Sequence, residues 1–128
     1  MARTLLQIYA QDNTEAFAFY KEAFDATIGG QDYDENGVLI HQELDVCGLQ
    51  IAVGDTVKRM TDVSGRPVTG NTMQFCIQLD KGQEERIRKA CDMLAEGGEV
   101  LTPFGKLIWT PCGAEIIDKY GVWWCLFV

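Results

Sequence analysis

Short apolar runs and one helical repeat divide the first half of the chain into predicted elements. Residues 4–11 form a short apolar segment, which is typical of a strand. Asp12 follows, with Glu15 three residues later in a capping-box arrangement, and this pattern predicts a helix. Apolar residues then recur at helical spacing up to about Asp25. Two further segments, which a tight turn at Gly48 joins, predict strands: 37–46 and 49–55.

The second half of the chain repeats this order after a polar stretch. Residues 56–71 are mostly polar and contain Gly and Pro, which predicts a loop or linker. Alternating apolar and polar residues over 72–80 predict a half-buried strand, and residues 82–98 then carry an apolar stripe at helical spacing. Three strand-like segments complete the chain: 99–110, 114–118 and 121–127.

The repeated order of strand, helix and three strands predicts two copies of one module. Gly48 and Gly121 each precede the last strand of a copy, although residue identity between the copies is low. We therefore expect a single domain with a first module at about 1–55, a linker at 56–71 and a second module at about 72–128.

Alternation also gives each predicted strand one face toward its helix and one face away from it. The away-facing positions combine amide, charged, aromatic and thiol side chains: Gln7, Tyr9, His41, Glu43, Gln74, Cys76, Trp123, Cys125 and Phe127. A solvated face disfavours such aromatic rings, and a dry core disfavours amides and a carboxylate. The mixture is typical of a partly enclosed ligand cavity, and an interface with a second subunit is the alternative.

Charge and cysteine content narrow the class of protein. The net charge of −8 argues against a nucleic-acid partner and against anionic membrane surfaces. The five cysteines include no C-x-x-C pair, so the sequence fits neither a disulfide framework nor a zinc knuckle. No apolar run has the length of a membrane span. We therefore expect a cytoplasmic protein with no membrane partner.

Three segments resemble a known superfamily: "FYKEAFDATI", "HQELDVCGLQIAVGD" and "IIDKYGVWWCLFV". They are similar to the vicinal oxygen chelate superfamily of glyoxalases, bleomycin-resistance proteins and extradiol dioxygenases, and within it to the PhnB-like branch. The resemblance spans almost the whole chain. It implies an α+β fold of paired βαβββ modules, in which a cupped mixed sheet surrounds a cavity, the helices lie outside, and the protein is a homodimer.

The resemblance also implies four metal-ligand positions, which metal-dependent members fill mainly with His and Glu. In this sequence those positions hold Leu5, Ala52, Gln74 and Cys125. Leu5 and Ala52 have no donor atom, and an amide and a thiol differ in softness. We therefore expect no metal and no other cofactor, and we expect no metal-dependent glyoxalase or dioxygenase activity.

The sequence offers few catalytic groups. His41 is the only histidine, and with Glu43 it is a candidate for acid–base catalysis. However, residues two apart on a strand are separated by about 6.6 Å at the backbone, so a structural role is the alternative for both. No base accompanies Cys76 or Cys125, so we expect inert thiols. The predicted ligand-binding residues are Gln7, Tyr9, His41, Gln74, Trp109, Trp123 and Cys125.

These observations favour a glyoxalase/bleomycin-resistance-like protein that binds a small organic ligand in the sheet cavity without a metal. One alternative is an enzyme of the same superfamily, of lyase, isomerase or dioxygenase type. It would use a metal or the His41–Glu43 pair. The other alternative is a homodimeric protein that serves only as an interaction module. The modules can pair within one chain or between two chains.

Overall fold

The computed structural model describes Arg3 and residues 5–10, 12–55 and 73–128. The chain divides into two compact units, Met1–Val68 (unit 1) and Thr69–Val128 (unit 2). The predicted linker, 56–71, lies outside the described residues, and so does Thr72 at the start of a predicted strand.

Unit 1 consists of one helix packed on a four-stranded mixed sheet. Its elements are β1 (Leu6–Ala10), α1 (Asn13–Ala23), β2 (Thr27–Tyr33), β3 (Leu39–Val46) and β4 (Leu49–Asp55). The strand order is β1-β4-β3-β2. Strand β1 runs parallel to β4, and the other neighbours are antiparallel.

Unit 2 has the same element order and the same strand arrangement. Its elements are β5 (Phe75–Gln78), α2 (Glu84–Ala95), β6 (Glu99–Gly105), β7 (Gly113–Ile117) and β8 (Trp123–Phe127). The strand order is β5-β8-β7-β6, with β5 parallel to β8 and the other pairs antiparallel. The prediction of two βαβββ modules is therefore confirmed, although the hydrophobic pattern located only two of the three strands that follow the helix in unit 1.

Local capping fixes both ends of α1. Asp12 has an extended backbone, and its carboxylate accepts a hydrogen bond from the Glu15 N–H at 3.0 Å. At the other end, the Phe24 N–H donates to the Tyr20 carbonyl at 3.1 Å, and Asp25 adopts a left-handed φ of 49° that turns the chain toward β2. The buried residues of the helix are Ala16, Phe17, Phe19, Tyr20 and Ala23.

Strand β2 is the element that the hydrophobic pattern did not locate. Every residue from Thr27 to Tyr33 is exposed, and the strand forms one edge of the sheet. Its register with β3 shifts between Ile28 and Gln31, where Gly29 and Gly30 lie beside Glu43. A strand with no buried face leaves no alternation in its sequence.

In unit 2 the second helix is confirmed with its predicted stripe, and the next strand is shorter than predicted. The buried residues of α2 are Ile87, Ala90, Cys91 and Leu94. Strand β6 ends at Gly105, whereas the sequence predicted a strand over 99–110. Trp109 therefore lies in the loop that connects β6 to β7 and not in a strand.

Alternation of buried and exposed positions follows the prediction on β1, β3 and β5, whereas Ala52 on β4 and Cys125 on β8 are buried although alternation places them on the away side. Leu44, Ile51 and Trp124 are completely buried on the helix sides of the two sheets. The intervening positions Tyr9 and Cys76 are exposed. Met73 differs from the prediction, because it precedes β5 and is exposed although alternation places it on the helix side.

A matching Asp-x-x-Gly turn connects the last two strands of each unit. In unit 1, Asp45 Oδ1 accepts a hydrogen bond from the Gly48 N–H at 2.7 Å. In unit 2, Asp118 is buried and accepts hydrogen bonds from two backbone N–H groups of its turn and from the Trp124 indole. Gly48 and Gly121 have positive φ angles of 89° and 85°, which explains the glycine in each turn.

Candidate functional site

Each unit has its own candidate site, which is its away face, the sheet surface opposite the helix of that unit. In unit 1, strand register places Gln7, Ala52 and Glu43 in one row across β1, β4 and β3. A second row contains Tyr9, Gly54 and His41. Four of the residues that the sequence predicted for the site therefore share one surface of unit 1: Gln7, Tyr9, His41 and Glu43.

Glu43 has two cationic or potentially cationic neighbours. The Arg3 guanidinium donates a hydrogen bond to Glu43 Oε1, and His41 Nε2 lies 3.6 Å from the same oxygen. The hydrogen bond from Arg3 is the main cause that lowers the pKa of Glu43 from its usual value, and burial opposes it. The Glu43 side chain is only 13% exposed. Unit 1 therefore presents an ionised carboxylate on its away face at neutral pH.

Glycines provide the space for these side chains. A Cβ on Gly54 would lie 2.9 Å from Gln7 Nε2, and a Cβ on Gly30 would lie 3.3 Å from Glu43 Oε2. Larger residues at these two positions would displace both polar groups, so the glycines determine where Gln7 and Glu43 lie.

The away face of unit 2 has a second glutamate at its centre. Strand register places Cys76, Cys125, Glu115 and Thr102 in one row across β5, β8, β7 and β6. Glu115 Oε1 accepts a hydrogen bond from Gln74 Nε2 at 2.7 Å, and Oε2 accepts one from the Thr102 hydroxyl at 2.7 Å. Each carboxylate oxygen therefore has its own donor, which fixes the orientation of Glu115.

The same network extends to the two thiols. The Cys76 thiol donates to Gln74 Oε1 at 3.6 Å. Burial raises the pKa of the Cys125 thiol to about 12, with smaller contributions from Cys76 and Glu115. Cys125 therefore carries its proton at neutral pH and is a poor nucleophile.

Aromatic residues flank this second face. Trp109 is 56% exposed, and its ring packs edge-to-face on Phe127 with the centroids 4.9 Å apart. The indole N–H of Trp123 is buried and has no hydrogen-bond partner among the described residues. The exposed Trp109 ring is available to stack on a flat ligand, and its contact with Phe127 restricts its orientation.

Three of the polar residues on these faces were not among the predicted site residues. Arg3 precedes the first strand, and nothing in the local pattern connects it with Glu43. Glu115 alternates with the buried Ala114 and Ile116, which was the available signal for an away-facing carboxylate. Thr102 gave no signal, because β6 has no clear apolar alternation.

The four positions that the family resemblance associates with metal ligands do not fit a divalent cation here. Ala52 and Cys125 occupy matching register positions, each paired with a glutamate on the neighbouring strand. Leu5 and Ala52 have no donor, the Gln74 carbonyl accepts from Cys76, and Cys125 keeps its proton. The described residues contain no group of three or more His, Cys, Asp or Glu arranged to hold a metal ion.

Two other surface features of the described residues lie apart from the away faces or concern the helices. An open depression along α1 and the turn after it is lined by Ala18, Lys21, Glu22, Asp25 and Ala26, and none of these is a predicted site residue. Neither helix within 12–55 and 73–128 is long and apolar enough to cross a membrane.

Comparison with solved structures identifies the fold. The PhnB protein from Bacillus cereus, described as a putative 3-demethylubiquinone-9 3-methyltransferase, is 25% identical, with 98% of each chain covered and a TM-score of 0.72. A glyoxalase/bleomycin resistance protein/dioxygenase family enzyme from Burkholderia phytofirmans is 15% identical, with 95% of this chain and 94% of that chain covered and a TM-score of 0.67. The chain has the fold of the vicinal oxygen chelate superfamily. The resemblance read from the sequence is therefore confirmed at this level.

A third structure with this vicinal-oxygen-chelate fold is the fosfomycin resistance protein FosX from Listeria monocytogenes. It is 13% identical, covers 98% of this chain and 91% of that chain, and gives a TM-score of 0.68. No family model matches the sequence, and the search of curated proteins also finds no match. At these identities the fold carries over, and the function has to be argued from the residues of the two away faces.

Proposed function

We propose that the protein binds a small organic ligand on its away faces and does so without a catalytic metal. The observation that carries the proposal is the composition of the two faces. Each has a glutamate at its centre that a polar side chain orients: Arg3 donates a hydrogen bond to Glu43 in unit 1, and Gln74 donates one to Glu115 in unit 2. Apolar walls with a few oriented polar groups are typical of small-molecule sites.

The polar groups indicate the kind of molecule that binds. Glu43 and Glu115 are acceptors, and the Tyr9 and Trp109 rings are exposed. A ligand with hydrogen-bond donors and a flat apolar portion would match both features. All five cysteines are free thiols, which supports the proposed cytoplasmic setting.

A thermal-shift screen of small molecules in the presence of a chelator tests the proposal. A ligand that binds only the folded protein adds about 2.7 kcal/mol of stability at a hundredfold excess over its Kd, which raises the melting temperature by several degrees. We expect Glu115→Gln to lower the affinity for a ligand that donates a hydrogen bond to Glu115 by about 10-fold or more. The matched control is Glu85→Gln, an exposed carboxylate on α2, which should leave the shift unchanged. Equal loss in both variants would contradict the assignment of the face.

Acid–base catalysis is the second candidate, and the proximity of His41 to Glu43 favours it. Glu43 Oε1 lies 3.6 Å from His41 Nε2, so the carboxylate is close enough to orient the imidazole. Turnover that His41→Ala abolishes, with a pH profile that follows histidine, would support catalysis. Turnover that survives in His41→Ala would remove this pair from consideration.

Exposed apolar side chains support the proposal of a homodimer. Ile28 and Tyr33 on β2, and Val100 and Leu101 on β6, are all exposed at the edges of their sheets. Uncovered edge strands with apolar side chains are surfaces that proteins usually protect. Self-association would cover these apolar side chains. A homodimer of this kind is also what the interaction-only alternative requires.

A further inference from the structure

The ion pair between Arg3 and Glu43 joins the segment before β1 to the away face of unit 1. The Arg3 guanidinium donates a hydrogen bond to Glu43 Oε1, although the two residues are 40 positions apart in the sequence. The Arg3 side chain is 63% exposed, whereas the Glu43 side chain is 13% exposed. A cation on an exposed side chain therefore pairs with a carboxylate that the sheet holds in a mostly buried position.

The two partners of this pair differ in what they lose when they separate. An exposed ion pair contributes little to stability, because water solvates the released guanidinium and screens the attraction. A carboxylate that is mostly shielded from water loses more, because it then lacks a compensating charge. The Arg3 side chain can therefore leave at small cost, provided that another cation takes its place on Glu43.

The surface next to Glu43 is built from small residues and an exposed ring. Ala52 is the register partner of Glu43 on β4, and Gly54 follows two residues later. The Gln7 amide and the Tyr9 ring lie over Gly54, because a Cβ there would be 2.9 Å from Gln7 Nε2 and 3.6 Å from a Tyr9 ring carbon. Tyr9 is exposed, so a flat group attached to a cation on Glu43 can lie beside this ring.

We propose that Arg3 occupies the position of a ligand's cationic group, and that the unit 1 face binds aryl guanidinium compounds, which displace Arg3 from Glu43. A guanidinium suits this position because its planar N–H groups match the two oxygens of a carboxylate. Arg3 then acts as an internal competitor that keeps Glu43 paired when no ligand is bound. The inference rests on the proposed function, since it names the ligand class for one of the two away faces.

The test titrates phenylguanidine into the protein and follows the ring signals of His41 by NMR. His41 is the only histidine of the chain, and its Nε2 lies 3.6 Å from Glu43 Oε1, so its signals report on this face. We expect Arg3→Gln to bind phenylguanidine about 5-fold more tightly than the wild type, because the competing ion pair is absent. Arg3→Lys retains a cation and should bind with nearly the wild-type affinity. Glu43→Gln should lower the affinity by about 10-fold or more.

Two matched controls separate the effect of charge from that of shape and of net charge. Phenylurea has nearly the shape of phenylguanidine but is neutral, so it should not shift the His41 signals at the same concentrations. Lys21→Gln removes an exposed cation from α1 and should leave the affinity for phenylguanidine close to that of the wild type.

Three results would overturn the proposal: equal affinities of Arg3→Gln and the wild type, an equal response to phenylurea, or full affinity in Glu43→Gln. An Arg3 that only anchors the chain would give the first of these, with a lower melting temperature of Arg3→Gln and no gain in affinity. A neutral screening hit that depends on Glu115 would leave the proposed function intact even where these titrations fail.

Discussion

Among the polar residues of unit 2, Asp118 is the one whose replacement we expect to lower the free energy of unfolding the most. Asp118 is 3% exposed. Oδ2 accepts from the fully buried Trp124 indole at 2.8 Å, and Oδ1 accepts from the Tyr120 and Val122 N–H groups at 2.9 and 3.0 Å. Asp118→Ala leaves all three donors without this acceptor. Water can reach the half-buried turn but not the indole.

The magnitude follows from what each donor loses. A buried donor left without a partner costs about 1 to 3 kcal/mol, and bonds to a charged acceptor in a turn contribute roughly 1 kcal/mol each after water has replaced them. We therefore expect Asp118→Ala to lower the free energy of unfolding by about 3 to 5 kcal/mol. This cost would consume a large part of the stability of a small protein.

The matched control is Asp45→Ala in unit 1. Asp45 occupies the same position in its Asp-x-x-Gly turn but is half-buried, and it accepts from the Gly48 N–H at 2.7 Å and the Gln50 amide at 3.0 Å. Water can replace both bonds, so we expect a cost of about 1 kcal/mol. Urea unfolding followed by tryptophan fluorescence measures both variants. A cost for Asp118→Ala that is below about 1 kcal/mol, or no larger than that of Asp45→Ala, would refute the reasoning.

Three further predictions concern other parts of the chain. Gly98→Ala should lower the free energy of unfolding by about 2 to 3 kcal/mol in the same assay, because the new Cβ would lie 2.4 Å from the Ile117 carbonyl oxygen. Gly54→Ala should cost less, because the close contact of its Cβ is with the flexible end of Gln7. Equal costs for the two variants would contradict this prediction. Arg3 is the main cause that lowers the pKa of Glu43, so the stability that Glu43 contributes is present above its unfolded pKa and is lost as pH falls through its folded pKa. Carboxyl NMR titration should show that the pKa of Glu43 rises in Arg3→Ala and rises less in His41→Ala. Light scattering should give the mass of a homodimer, and a monomer at micromolar concentration would contradict the proposed self-association.

The sequence predicted the modules because buried strands and helices leave periodic patterns. The stripe of α2 and the alternation of β3 were both readable, and so was the cap at Asp12. Strand β2 was not located, because every one of its residues is exposed and its identity depends on pairing with β3. Pairing with a distant strand leaves no local signal.

The away faces were predictable from strand alternation, but their networks were not. Alternation placed Gln7, His41 and Glu43 on one face. The hydrogen bond between Arg3 and Glu43 joins residues that are 40 positions apart, and the one between Gln74 and Glu115 joins residues 41 positions apart. Such pairs depend on strand order, which the sequence implied only through the family resemblance.

The most direct test of the central claim is calorimetric titration of a screening hit into the protein, once in a chelator and once with added Ni²⁺, Co²⁺ or Mn²⁺. We expect the same affinity in both conditions, with a loss of about 10-fold or more in Glu115→Gln. Binding that appears only after metal is added would contradict metal-free binding, because the away faces would then hold a metal ion.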